Sequence, residues 1–385
     1  MLNPTVSSPE AESRLTFGVE LEFLLATISK GGENPHPSDP REVDPRILAD
    51  EDSINYDIER KLEEVGIAAT VKESDYGNLG EVNAAAATDW ILQTDFTVGP
   101  GQQNSNVRKY LEYGMEMSSP PYYYDEATRR TVETVVRKLR NSYLVRVNET
   151  TGLHVHVGIG YRGFDWPILR NFLAIAWTYE RQILLIMPEI RLDNPHCKSL
   201  RDSKLGSYDP RLTRLEVLNR ILSFTNNGQV VREIGSRNTG FNISNLAPPF
   251  LSSFGKRTIE FRHHPGTLDS ESILHWVHIC VKLVEKACLI KNEAELFEQL
   301  RTDVEKPVGF GDKNNVTTVD YLMWLGCPSQ AYYYGKQLIS DKVRVEKRIR
   351  DAAEEEAKSV PTQPAGLPQN MLDILRNALG TPRNR

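Results

Sequence analysis

Runs in which charged and apolar side chains alternate place the tightest constraint on what this chain can fold into. Successive side chains of a β-strand point to opposite faces of its sheet. In FGVELEF (17 to 23), Phe17, Val19, Leu21 and Phe23 share one face, and Gly18, Glu20 and Glu22 the other. In GLHVHVG (152 to 158), Leu153, Val155 and Val157 oppose His154 and His156. In RTIEFRH (257 to 263), Ile259 and Phe261 oppose Thr258, Glu260 and Arg262. In YGMEM (113 to 117), Met115 and Met117 flank Glu116, which shares its face with Gly114.

Each segment offers an apolar face to a helical layer and a second face of Glu, His and Arg with almost no Lys. Taken singly, each has a bland explanation. E-x-E is ordinarily a solvated strand face, H-x-H a polar strand face, and E-x-R a cross-strand ion-pair element. The recurrence of one design in distant segments points to a shared surface. Clustered carboxylates repel one another, and burial makes this worse; cations remove that cost. Oxygen-rich ligand sets with one or two imidazoles suit Mg²⁺ or Mn²⁺, whereas zinc more typically takes three or four His or Cys. Two-metal carboxylate sites neutralise charge during phosphoryl transfer. An arginine two residues from a glutamate on the same face suits a transferring phosphate.

The set G-V-E-L-E-F, E-M-S-S-P, G-L-H-V-H-V-G and T-I-E-F-R-H-H-P-G-T-L-D resembles the amidoligase family. That family belongs to the carboxylate–amine ligase superfamily with glutamine synthetase and glutamate–cysteine ligase. The resemblance spans roughly residues 15 to 290, and its last motif is the most specific. It implies a glutamine synthetase-like antiparallel sheet forming an open funnel. It also implies an ATP-dependent reaction, in which a carboxylate becomes an acyl phosphate and ammonia or an amine then displaces phosphate. Carried over by motif, Glu20, Glu22, Glu116, His156 and Glu260 would hold the metals. Glu260 and Arg262 would serve catalysis, with Arg262 on the transferred phosphate and His154 as a neighbouring or substrate contact. RNTGFNISNL resembles a family segment in which Arg237 and Asn242 would contact nucleotide or substrate. Thr239, Gly240 and Phe241 depart from the family there, as do His263 and Pro265 in the last motif, and these departures bear on the substrate side. No P-loop or G-x-G-x-x-G is present.

The 385 residues are 39% hydrophobic and 25% charged, the balance of a soluble globular protein able to bury a sizeable core. A formal net charge of -6 argues against a partner held by nucleic-acid phosphates. Cys197, Cys280, Cys288 and Cys327 form no C-x-x-C pair, so a reducing, cytoplasmic setting without disulfides is expected. The start of the chain has no apolar run of a signal peptide. The most apolar stretch, residues 167 to 187, carries Arg170, Glu180 and Arg181 and reads as a buried helix, not a membrane span.

Strands and helices mix without a regular βα rhythm, so the fold class is α+β with an antiparallel sheet backed by helices. Periodicity predicts helices over 53–66, 127–143, 165–187, from Asp209 and Pro210 onward, over 271–290, 319–326 and 346–358. It predicts strands near 67–72, 90–98, 110–117 and 240–246. The expected organisation is a disordered stretch over 1–14, a catalytic domain over 15–330, and a helical extension over 331–385 with a Pro-rich linker at 360–368. The substrates would be a small-molecule or peptide carboxylate and an amine. A homo-oligomer is compatible with the resemblance, because sites in that superfamily can be shared between subunits. The alternatives are a metal-dependent hydrolase using the same carboxylates and a non-catalytic relative on the same fold.

Overall fold

The alternation in FGVELEF demands that one face of its strand be covered, and the fold is organised around that demand. The computed structural model describes residues 14 to 351, apart from 75, 102 to 109, 161, 193, 208, 210, 235, 247 to 255, 310 to 313, 345 and 348. The linker at 360–368, the end of the charged segment 346–358 and residues 1–13 lie outside the described residues.

The strands are β1 (Thr16–Thr27), β2 (Ala69–Val71), β3 (Trp90–Thr94), β4 (Leu111–Ser118), β5 (Tyr122–Tyr123), β6 (Val145–Arg146), β7 (Gly152–Gly158), β8 (Phe241–Asn242) and β9 (Ile259–Pro265). They form one open sheet of order β2-β3-β4-β1-β7-β9-β8, with β5 and β6 also paired to β1. The helices are α1 (Glu51–Glu63), α2 (Leu79–Ala85), α3 (Glu126–Ser142), α4 (Trp166–Leu185), α5 (Glu189–Leu192) and α6 (Lys204–Ser207). They continue with α7 (Arg214–Leu222), α8 (Asn227–Ile234), α9 (Ser270–Cys288), α10 (Glu293–Val304), α11 (Thr318–Trp324) and α12 (Pro328–Ser340).

The sheet is antiparallel as expected, except that β2 and β3 run parallel, so it is mixed at one edge. Helix α9 packs on β7 and β1, α4 packs on α9, and α1 covers β2 and β3. Phe17, Val19, Leu21 and Phe23 are all buried beneath this layer. Phe172 of α4 meets Phe241 and Phe261 edge-on, at centroid distances of 5.7 and 5.9 Å. Truncating a buried aromatic of this kind to alanine costs about 3–5 kcal/mol.

The G-T-L-D tail of the last motif is a device for entering α9. A Cβ at Gly266 would lie 2.1 Å from Thr151 Oγ1, so only glycine lets the chain turn this close to the start of β7. Asp269 then caps α9 by accepting from Ser272 N at 3.0 Å.

Several elements differ from the sequence reading. The helix expected from Asp209 begins instead at Arg214, where Thr213 and Glu216 form a capping box. Asp209 turns back to bind its neighbour Arg211. Asp165 precedes α4, but its side chain makes no capping bond, and Pro167 sits in the first turn. The 240–246 segment is a strand only at Phe241–Asn242, followed by a 3₁₀ turn at Ser244–Leu246. Tyr122 and Tyr124 pack against Phe17 on the core side. The cysteines are free thiols. Among the described residues, no helix is long and apolar enough to cross a membrane.

Candidate active site

Register brings the four polar strand faces side by side. Glu22 of β1 pairs with Glu116 of β4, and Glu20 with His154 of β7. His156 pairs with Glu260 of β9, and Glu260 with Asn242 of β8. Their side chains share the face opposite the core. That face is not solvated: Glu22, His154, His156 and Glu260 are each less than a tenth exposed.

The first group lies across β1, β7 and β9. His154 Nδ1 stands 3.2 Å from Glu20 Oε2 and 3.8 Å from Glu260 Oε1. Ligand atoms of Glu20, His154 and Glu260 all lie within 4.8 Å of one another, close enough to share one ion. His156 Nε2 is 3.0 Å from Glu20 Oε1, yet that buried nitrogen has no hydrogen-bond geometry to any partner. Its Nδ1 is 2.9 Å from Thr258 Oγ1. With Nδ1–H donating to that hydroxyl, the Nε2 lone pair faces the cluster, as in a metal-ligating histidine.

Cations border this group. Lys256 Nζ donates to Glu20 Oε1 at 2.8 Å. Arg262 Nη1 donates to Glu260 Oε1, and its Nε to the carbonyl of His196 at 3.0 Å. Asn242 Nδ2 donates to Glu260 Oε2 at 2.6 Å. Burial works against both carboxylates. Even so, Lys256 and the two histidines hold Glu20 well below the usual carboxylate range. His156 and Arg262 lower Glu260, against the charge of Glu20. Burial likewise opposes a charge on His154, but Glu20 and Glu22 raise its pKa.

The second group comprises Glu22, Asp95 and Glu116, whose ligand oxygens also lie within 4.8 Å of one another. Gly152 N donates to Glu22 Oε2 at 2.6 Å, and Gln93 Nε2 to Glu116 Oε1 at 2.8 Å. These donors are neutral. Burial, reinforced by Asp95, raises Glu22. Burial together with the charges of Glu20 and Glu22 pushes Glu116 up to about 7. Carboxylates forced to share a site in this way take up a proton or a cation.

The sequence matches the family model described as "Putative amidoligase enzyme" over residues 13–284. The chain belongs to the amidoligase family. No curated protein matches the sequence. Among solved structures it is similar to a bifunctional glutathione synthetase from Pasteurella multocida, at 14% identity and a TM-score of 0.33. That overlap covers 90% of this chain and 50% of the other, so the amidoligase chain spans about half the length of that protein. The family assignment rests on the sequence match.

The sequence-predicted residues of this amidoligase separate into those the structure gathers and one it does not. Glu20, Glu22, Glu116, His154, His156, Glu260, Arg262 and Asn242 all converge on the polar face. Arg237 lies exposed in the turn before β8. His263, a departure from the family pattern, faces the core, 4.4 Å from the ring of Phe241 and 3.7 Å from Glu180 Oε1. Asp95, Lys256 and Arg191 were missed. For Asp95 the pattern was present in WILQTDF, where Gln93 and Asp95 alternate with apolar Leu92. Lys256 shares the parity of Thr258 and Glu260 but precedes the observed strand, and next to Arg257 no apolar residue marked an alternation there.

Proposed function

We propose that this amidoligase is an ATP-dependent ligase that joins a carboxylate to ammonia or an amine, using divalent cations, Mg²⁺ or Mn²⁺. The observation that carries the reading is the pair of buried and half-buried carboxylate groups on neighbouring strands, with Arg262 at their border. Glu20, His154 and Glu260, with His156 beside them at Glu20, would hold one ion; Glu22, Asp95 and Glu116 would hold another. When bound, such ions neutralise phosphate oxygens and so favour phosphoryl transfer.

The chain's own residues do the rest. Thr258 orients the ring of His156, while Asn242 and Arg262 hold Glu260 in place. Arg262 offers a guanidinium fork to an oxyanion at the cluster's edge. The buried polar face limits access of bulk water, which would otherwise hydrolyse an activated acyl group. In the reaction, a substrate carboxylate oxygen bonds to the γ-phosphorus as ADP leaves. The amine nitrogen then bonds to the acyl carbon as phosphate leaves, and the nitrogen loses a proton. The acceptor is a small molecule, a peptide or a protein side chain. We place the catalytic domain at residues 15–330.

The test is a screen of carboxylates and amines with ATP and Mg²⁺ or Mn²⁺, read by phosphate release and by mass spectrometry of the product. Phosphate release that requires both a carboxylate and an amine supports the reading. Failure to bind any nucleotide in the presence of either ion sinks it.

A further inference from the structure

Arg191 of α5 has only 5% of its surface exposed. Its Nη2 donates to the backbone carbonyl of Arg262 at 2.5 Å, and its Nε to that of His263 at 3.4 Å. The same guanidinium reaches the cluster. A Cβ placed on Gly152 would lie 2.8 Å from His154 Nε2, 3.4 Å from Glu22 Oε2 and 3.4 Å from Arg191 Nη2. Three groups thus converge over one glycine, at the start of β7 where Gly152 pairs with Pro265.

What Arg191 lacks is an anion. Among the described residues, no carboxylate forms an ion pair with it, and Glu22 acts on it only from farther off, across Gly152. Arg170, almost as buried, pairs with Glu293 at 2.5 Å, and Arg262 pairs with Glu260. Cys197 sits beside Arg191, but burial pushes its thiol up to about 11, so it stays neutral. Two backbone carbonyls supply hydrogen bonds without cancelling the charge. A buried guanidinium left in this state is costly, and the like charge of nearby Arg262 adds to the cost, which the more distant charge of Glu22 offsets only in part. Arginine holds its charge at any working pH, so it cannot relieve that cost by losing a proton.

We propose that Arg191 and Arg262 form an oxyanion-binding pair that receives the reacting group of the substrate, either its carboxylate or the phosphoryl group. The pair depends on the ligase reading for the identity of that anion, not for its existence. Arg262 binds from the cluster side. Arg191 binds from the start of β7, and its hold on the Arg262 carbonyl sets the position of both. An anion bridging the two would restore the charge balance that the protein alone leaves open.

The experiment uses the full chain and three probes: Mn²⁺, inorganic phosphate and glutarate. Each is titrated calorimetrically, and the anions are titrated with and without Mn²⁺. Arg191→Gln should weaken binding of one or both anions at least about tenfold without weakening Mn²⁺ binding. Arg191→Lys should recover part of the loss, because charge remains while the planar fork is gone. A larger loss for phosphate assigns the phosphoryl group, and a larger loss for glutarate assigns the carboxylate. The proposal is overturned if Arg191→Gln binds both anions as the unmodified protein does. It is equally overturned if anion and Mn²⁺ affinities fall together, which would mark a deformed centre, or if the unmodified protein binds neither anion. Should Arg191→Gln fail to fold, Arg191→Lys carries the test, and unchanged anion affinity there overturns the pair. Absence of Mn²⁺ binding to the unmodified protein would instead overturn the metal reading, while the metal-free titrations still decide the role of Arg191.

Discussion

The two carboxylate groups sit on adjacent strands and arise from the same alternation, yet their charge is balanced in opposite ways. Around Glu20 and Glu260, Lys256, Arg262 and two imidazoles hold the carboxylates below their ordinary range. Around Glu22 and Glu116 the hydrogen-bond donors are Gly152 N, Gln93 and Ser118, all neutral; His154 reaches Glu22 only at 3.5 Å, and burial still leaves both carboxylates raised. The first group is electrostatically settled in the folded chain. The second is strained until a proton or a cation arrives. A strand pattern can therefore place ligands, but the neighbours decide whether a group holds its charge alone or waits for an ion.

Substitutions at matched positions test that contrast. The largest effect is expected at Glu260→Gln. Turnover by phosphate release should fall by about 10²-fold or more. Metal-free stability in urea should also drop by about 3 kcal/mol, because Arg262 loses its buried partner. Glu116→Gln should likewise impair turnover but move stability the other way, raising it by about 1 kcal/mol at pH 8, since repulsion with Glu20 and Glu22 is relieved. If both variants shift metal-free stability in the same direction, the contrast between the groups is wrong. A smaller effect is expected one layer out. Asn242→Ala, which frees Glu260 Oε2, should weaken Mn²⁺ binding about tenfold, with Gln93→Ala weakening it by less. Equal effects at the two positions would show that orientation matters no more in one group than in the other.

Much of this arrangement was legible in the sequence, for a physical reason. A period of two fixes which side chains share a face, so FGVELEF, GLHVHVG and TIEFR each announced their polar residues without any knowledge of pairing. Register then needed only to align them. Arg191 and Lys256 were not legible, because neither lies within an alternating strand. Arg191 sits on a four-residue helix and reaches the site only through the packing of that helix on β9. The start of α7 was misread because Asp209 and Pro210 look like a helix entrance. The Asp209 side chain is already engaged by Arg211, and the capping box lies at Thr213. The short β2–β3 parallel pair carries too few residues to signal its direction.

The subtlest consequence of the contrast is a pH dependence whose sign reverses with metal. Glu116 titrates at about 7 in the folded chain, against roughly 4.3 for an ordinary glutamate. A carboxyl group whose folded-state pKa is raised binds its proton more tightly in the folded state. Its contribution to stability is present at low pH and is lost as pH rises through the window between those values. Glu20 and Glu260 act in the opposite sense, since their lowered values add stability above the ordinary carboxylate range and lose it as pH falls below that range. Metal-free protein should therefore melt at a lower temperature at pH 8 than at pH 5.5. With Mn²⁺ present the order should invert, because the ion binds the ionised form of Glu116 and its affinity grows as the proton leaves. Glu116→Gln should flatten both profiles. Melting curves across that range, with and without Mn²⁺, check all of this, and parallel profiles for Glu116→Gln and the unmodified protein would assign the strain to some group other than Glu116.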